Sequence, residues 1–190
     1  MKIFISCGHN NAFIAWYSRY RDQWATNTSF GNTMTEYQFS KKIAGEIQRK
    51  FPAEEWTQYV FVPEWLNLQA RIAWINKNAV DGDMCIELHM DSASPQAEWC
   101  STWYMSGSKW AEDKARIFQQ EYTRVTWLKW RWVHGDSTNR LGRLAFVRDT
   151  KCLAYLLEMG YISNSGDRDK VWTKAAEGIA KWLALITPLK

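Results

Sequence analysis

The chain has 190 residues, enough for one domain with a substantial core, and its 46% apolar content excludes a disordered polymer. A net charge of +4 without an Arg-rich stripe argues against nucleic acid as a partner and suits a polyanionic surface. Thirteen Trp, eight Tyr and eight Phe supply rings both for a core and for a solvent-facing platform that could meet sugars or peptides.

The opening stretch, Met1 to Asn10, reads as a strand over 2–6 running into a loop. Its apolar run is too short for a signal peptide, and no later stretch is long enough to span a bilayer. Synthesis in a cytoplasm without an export signal, and no stable membrane insertion, are therefore expected. Residues 10–33 lack a clear period and are expected to form a long loop or a short helix. Thr33 to Glu36 fits a capping box, followed by a helix whose apolar face is Phe39, Ile43 and Ile47 and which stops near Phe51-Pro52. Residues 58–62 read as a strand, and 66–79 as a helix carrying Leu68, Ile72 and Ile75. Asp81-Gly82 is a turn before a strand over 84–90.

Another strand is expected over 100–106, a helix over 109–122 and a Gly-containing polar loop over 134–143. Strands over 144–147 and 152–158 follow, and a last helix runs from Asp167 to about Leu185. Strands alternating with helices predict an α/β fold: a three-layer α/β/α sandwich with a mostly parallel twisted central sheet. No repeat, linker or low-complexity tract divides the chain, so residues 1–190 are expected to form a single domain. The four cysteines, Cys7, Cys85, Cys100 and Cys152, are too sparse for a disulfide scaffold and are expected as thiols.

Reactive groups in such sheets collect beyond the carboxyl ends of the strands. His9, His89 and Glu158 fall at such ends, and Glu36 sits in the first turn of the helix after the first strand, opening on the same rim. Two imidazoles and a carboxylate can hold zinc with one position open for water, and a second carboxylate can then manage that water's proton. Each residue has a bland reading as well. Glu36 could serve its own helix as a cap, Glu158 could sit in a salt bridge, and Cys7 is more simply a small buried residue than a partner of His9. His134 is the remaining histidine. On a regular strand Glu87, His89 and Asp91 share one face. Glu87 then competes with Glu36 as the oxygen ligand, or orients a ligand histidine, or pairs with Arg71. Asp91 is a candidate for steering His89.

These stretches, in this order, resemble the zinc-dependent N-acetylmuramoyl-L-alanine amidases of the amidase type 3 family. The motifs are Cys7-Gly8-His9-Asn10, Glu36 heading a helix, Arg71 with Ile75-Asn76, Glu87-Leu88-His89-Met90-Asp91, Leu144-Ala145-Phe146-Val147-Arg148 and Leu157-Glu158-Met159-Gly160-Tyr161-Ile162-Ser163-Asn164. The resemblance spans nearly the whole chain, and the last motif is the most specific. It departs from the family pattern at Asn10, in place of a second glycine, and at Glu87 and Asp91, in place of Ser and Asn.

The resemblance implies one Zn2+ per chain held by His9, Glu36 and His89, with Glu158 as the general base. It implies hydrolysis of the amide between N-acetylmuramic acid and L-alanine in bacterial peptidoglycan. Asn10, Arg71, Glu87 and Asp91 become candidates for the surroundings of the metal or for substrate binding. Trp16, Tyr17 and Trp103 are candidates for a groove wall. The stretch from His89 to Glu158 is too short for the regulatory helix inserted in some cell-division amidases, which implies an unregulated, phage endolysin-like lysis enzyme. Such an enzyme would wait in the host cytoplasm and reach the wall or periplasm after membrane breach. A monomer is expected. The rivals are a zinc carboxypeptidase or endopeptidase acting on stem peptides, and a non-catalytic wall-binding module.

Overall fold

A computed structural model describes residues 1–9, 35–52, 56–138 and 143–186. In chain order the elements are β1 (Lys2–Cys7), α1 (Glu36–Lys50), β2 (Gln58–Phe61), α2 (Leu68–Asn78), β3 (Met84–Asp91), β4 (Cys100–Tyr104) and α3 (Lys109–Thr126). β5 (Trp130–Gly135), α4 (Ala145–Asp149), β6 (Leu153–Tyr161) and α5 (Ser165–Ile186) follow among the described residues. The six strands form one sheet in the order β2-β1-β3-β6-β4-β5. All neighbours are parallel except β4, which runs antiparallel to β6.

Side-chain alternation along the strands creates the layers. Ile3 and Ile5, with Ile86, Leu88, Leu157 and Met159, pack under α1, α3 and α5, where Ile43, Phe118 and Trp182 are buried. Phe4, Cys85, Ala154 and Leu156 point the other way, onto Ile72 and Ile75 of α2 and Phe146 and Val147 of α4. Central strands buried on both faces carry near-continuous apolar runs, and this is why β3 and β6 are prominent in the sequence. The expected mostly parallel sheet covered by helices on both faces is the observed fold.

Several local expectations change. The capping box is Thr35 with Gln38, not Thr33 with Glu36: the Thr35 hydroxyl accepts the Gln38 N–H, and Gln38 Oε1 accepts the Thr35 N–H. Residues 130–135, in part expected as loop, form the edge strand β5. Its first three residues, Trp130 to Trp132, are all exposed, so no buried–exposed alternation marks it. Residues 144–147, expected as a strand, instead precede and form the short helix α4. Both sides of β6 are already hydrogen-bonded, to β3 and β4, so this Phe-Val pair finds burial by packing on the sheet face. α3 runs on to Thr126, and Trp127 closes it in the left-handed region at φ 58°. α5 begins at Ser165, ahead of Asp167. The four cysteines are free thiols, as expected.

Candidate metal and catalytic centre

The centre forms where β1, β3 and β6 end and α1 begins. β1 leaves the sheet through Gly8, whose N–H donates to the Leu88 carbonyl at 2.9 Å. A Cβ on Gly8 would lie 2.2 Å from the His89 ring, so glycine is what lets the backbone pass under that imidazole. His9 then turns into the left-handed region, at φ 45°, which sends its side chain back over the rim. A non-glycine residue there costs on the order of 1 kcal/mol, which the fold must offset elsewhere.

α1 brings Glu36. Because Thr35 and Gln38 satisfy the helix start between them, the Glu36 carboxylate is free to face the sheet. Its Oε1 accepts the Met90 N–H at 3.0 Å and lies 2.8 Å from His89 Nδ1. Its Oε2 lies 3.8 Å from His9 Nε2. The Ser40 hydroxyl, one turn further on, donates to the Leu88 carbonyl at 2.8 Å and pins the helix to the end of β3. The two imidazoles meet edge to face with ring centres 5.0 Å apart. Ligand atoms of His9, Glu36 and His89 all lie within 4.8 Å of one another.

Next to this cluster stands a second set of charges. Buried Glu87 pairs with buried Arg71 at 3.0 Å through Oε1, which also accepts the Ser6 hydroxyl at 3.3 Å. Arg71 donates in addition to the Cys7 carbonyl. The second oxygen of Glu87 lies 3.1 Å from His89 Nε2. Burial pushes the Glu87 carboxyl up, but Arg71 and His89 outweigh it and the group stays below its ordinary pKa. Burial works against charge on His89 too, yet Glu36 and Glu87 more than compensate and hold its pKa well above the ordinary value.

Glu158 faces this set from the adjacent strand. It is the register partner of His89. Its Oε2 is shut off from solvent and has no hydrogen-bond partner. Burial, opposed by His89 and reinforced by Asp91, Glu36 and Glu87, pushes its pKa up to about 8. A carboxyl so placed can accept and return a proton near neutral pH.

Asp91 lies where the β3–β6 register slips. Its Oδ1 accepts the Ser92 N–H at 2.8 Å, and it faces the phenol of Tyr161. Cys7 is half-buried, and burial pushes its thiol up to about 12, so it stays protonated as a packed residue. His134 stacks on Trp103 with centres 4.5 Å apart. Asn10, Trp16 and Tyr17 lie outside the described residues. The sequence named Gly8 only as part of a motif and placed Thr35 inside a cap headed by Thr33, and it assigned no role to Ser40. A glycine directly before a rim histidine was the available sign for the first of these.

Two imidazoles, one carboxylate and a nearby carboxyl with one buried oxygen that has no hydrogen-bond partner match the donor set of a hydrolytic zinc site. A family model described as N-acetylmuramoyl-L-alanine amidase, Amidase_3, matches residues 3–184. The chain belongs to the amidase type 3 family. It is thus an N-acetylmuramoyl-L-alanine amidase, a hydrolase of peptidoglycan. Among solved structures, the amidase is similar to the N-acetylmuramoyl-L-alanine amidase from Clostridium difficile 630, with 17% identity and a TM-score of 0.76, covering 97% of this chain and 95% of that one. It is also similar to the catalytic domain of CwlV from Bacillus (Paenibacillus) polymyxa var. colistinus, with 20% identity, a TM-score of 0.74 and 97% of each chain covered. A third likeness is to the catalytic domain of an endolysin targeting Clostridia difficile, with 23% identity, a TM-score of 0.69 and coverage of 100% of this chain and 99% of that one. At these identities the structural likeness speaks for the fold. No curated protein sequence matches the amidase.

Proposed function

We propose that the amidase cleaves the bond between N-acetylmuramic acid and L-alanine with one zinc ion held by His9, Glu36 and His89, and with Glu158 moving the proton. The observation that carries this reading is the meeting of a three-residue ligand cluster with the buried, hydrogen-bond-free Oε2 of Glu158 across one pair of strands. Zinc would supply Lewis-acid polarisation of the scissile carbonyl and acidify a water. Glu158 Oε2 would take the proton of the attacking water and return it to the departing amine nitrogen of L-alanine. Its depleted solvation favours the protonated form, so the proton taken from water is kept on the carboxyl until it passes to the nitrogen as the C–N bond breaks. Glu36, fixed by the Met90 N–H, and His89, seated on Gly8, hold their ligand atoms in place before any substrate arrives.

A role in host lysis rests on two observations. One fold neighbour is described as an endolysin catalytic domain. Among the described residues no helix is long and apolar enough to cross a membrane. The protein would then reach the wall after the membrane is breached.

The test is digestion of purified sacculi with and without a chelator, with products read by mass spectrometry and zinc counted per chain. Free stem peptides beginning with L-alanine, lost on chelation and regained with zinc, are expected. Shortened stems would instead identify a peptidase. Binding to sacculi without release or zinc would identify a wall-binding module.

A further inference from the structure

We propose that Glu87 is a positioning residue of the metal site and not one of its ligands: it holds the nitrogen of His89 that faces away from Glu36, and Arg71 locks it in that place. This rests on the zinc reading above and settles which of two competing carboxylates, Glu36 or Glu87, would bind the ion.

The division follows from the shape of imidazole. Its two ring nitrogens point in different directions, so a carboxylate at one cannot share an ion with groups gathered at the other. In this protein Nδ1 of His89 faces Glu36 Oε1 at 2.8 Å, and Glu36 Oε2 in turn lies 3.8 Å from His9 Nε2. Nε2 faces Glu87 Oε2 at 3.1 Å. Glu36, which also approaches His9, thus faces the Nδ1 side and Glu87 the Nε2 side, and the cluster of close ligand atoms comprises His9, Glu36 and His89 without Glu87. A neutral imidazole that gives one nitrogen to a metal keeps its N–H on the other, and a carboxylate accepting that N–H fixes the ring and makes the ligating nitrogen more basic.

Glu87 is built for the task by its own restraints. Its Oε1 is already engaged by Arg71 at 3.0 Å and Ser6 at 3.3 Å, which leaves Oε2 for the ring. Arg71 is tied to the Cys7 carbonyl, two residues before His9, so one guanidinium braces both histidine-bearing segments. Both partners are buried, at 2% and 6% exposure, where a carboxylate without a cation would be costly. His89 Nε2 is also buried, and although it is close to Glu87 its geometry does not complete a hydrogen bond.

The test is zinc affinity measured by chelator competition on the full chain, beside the ligand-field spectrum of the cobalt(II)-loaded protein. Glu87→Gln alone leaves Arg71 unpaired, so the decisive variant is the double change Arg71→Met with Glu87→Gln, which removes both charges. We expect it to keep the wild-type melting temperature of the metal-free protein within a few degrees, to bind zinc about 10- to 100-fold more weakly and to keep a four-coordinate cobalt spectrum. Should the double variant not fold, Glu87→Asp keeps the pair with Arg71, withdraws from the ring and carries the same expected loss. Affinity within about twofold of wild type overturns the inference, making the Arg71–Glu87 pair a packing element. Loss of the four-coordinate spectrum overturns it as well, making Glu87 a ligand. Wild-type protein that takes up no zinc overturns the metal reading and this inference with it. Zinc uptake by wild type with unchanged affinity in the variant overturns this inference alone.

Discussion

His89 and Glu158 are register partners on adjacent parallel strands, β3 and β6. Paired strands hold their backbones about 4.8 Å apart. The separation between a proposed ligand and the proposed base is thus set by the sheet itself and does not depend on loop conformation.

This relationship makes the roles separable. Glu158→Gln keeps the size of the side chain and removes the site of proton exchange. The expected outcome is wild-type zinc content with turnover of sacculi reduced roughly 10²- to 10⁴-fold. Metal analysis beside release of stem peptides checks both halves, and full activity in this variant would remove Glu158 from the mechanism.

Gly8→Ala places a methyl 2.2 Å from the His89 ring, well inside contact distance. The ring or the β1 exit must move, at a cost of about 1–3 kcal/mol. A lower melting temperature of the metal-free protein together with weaker zinc binding is expected. Unchanged zinc affinity would mean that the ring can move aside without consequence for the site.

Thr35→Ala removes the side-chain acceptor that begins α1. The expected cost is about 1 kcal/mol in stability, by chemical denaturation. Because Glu36 is the first residue of that helix, zinc affinity should fall in the same variant, whereas Thr35→Ser should restore both.

Asp136 gives the amidase a stability term that depends on acidity. Burial pushes its carboxyl up, but the Ser106 N–H, at 2.8 Å, and the Arg148 guanidinium, within 3.0 Å, outweigh burial and hold it below the ordinary carboxylate range. A depressed folded-state pKa means that the unfolded chain binds more protons as the solution is acidified. The contribution is therefore fully present above the unfolded pKa of about 3.9 and is lost as pH falls through the lower folded value. Asp136→Asn should lower stability at neutral pH by about 1–3 kcal/mol, less than a fully buried pair because Arg148 is partly exposed, and flatten the loss on acidification below the unfolded pKa. Urea titrations of the metal-free proteins across that acidification provide the measurement.

His9, His89 and Glu158 were legible because each ends an apolar run, and in a parallel sheet those runs end on a common rim. Glu36 was ambiguous because a carboxylate in a first helical turn is ordinary. What frees it is the exchange between Thr35 and Gln38, two residues out of step with the cap expected from Thr33. β5 was only partly legible because Trp130, Arg131 and Trp132 are all exposed and carry no alternation. α4 was misread because Phe146 and Val147 favour strands locally, while a sheet with no vacant position beside β6 decides otherwise. The approach of Gly8 to His89 is a through-space contact between residues 81 positions apart, and periodicity carries no signal for such a meeting.

The reversal of β4 has an outcome of its own. Ser101, the second residue of that strand, sits opposite Glu158, so the sheet is entered here on the very edge that the parallel strands leave. The incoming crossover, residues 92–99, is moored to the far end of the Glu158 motif: Ser163 Oγ accepts the Ala93 N–H, and the Asn164 amide donates to the Pro95 carbonyl. None of these residues belongs to the proposed ligand set. Sequence change within that crossover can therefore alter how β4 enters the sheet beside Glu158 without replacing any of the proposed ligands.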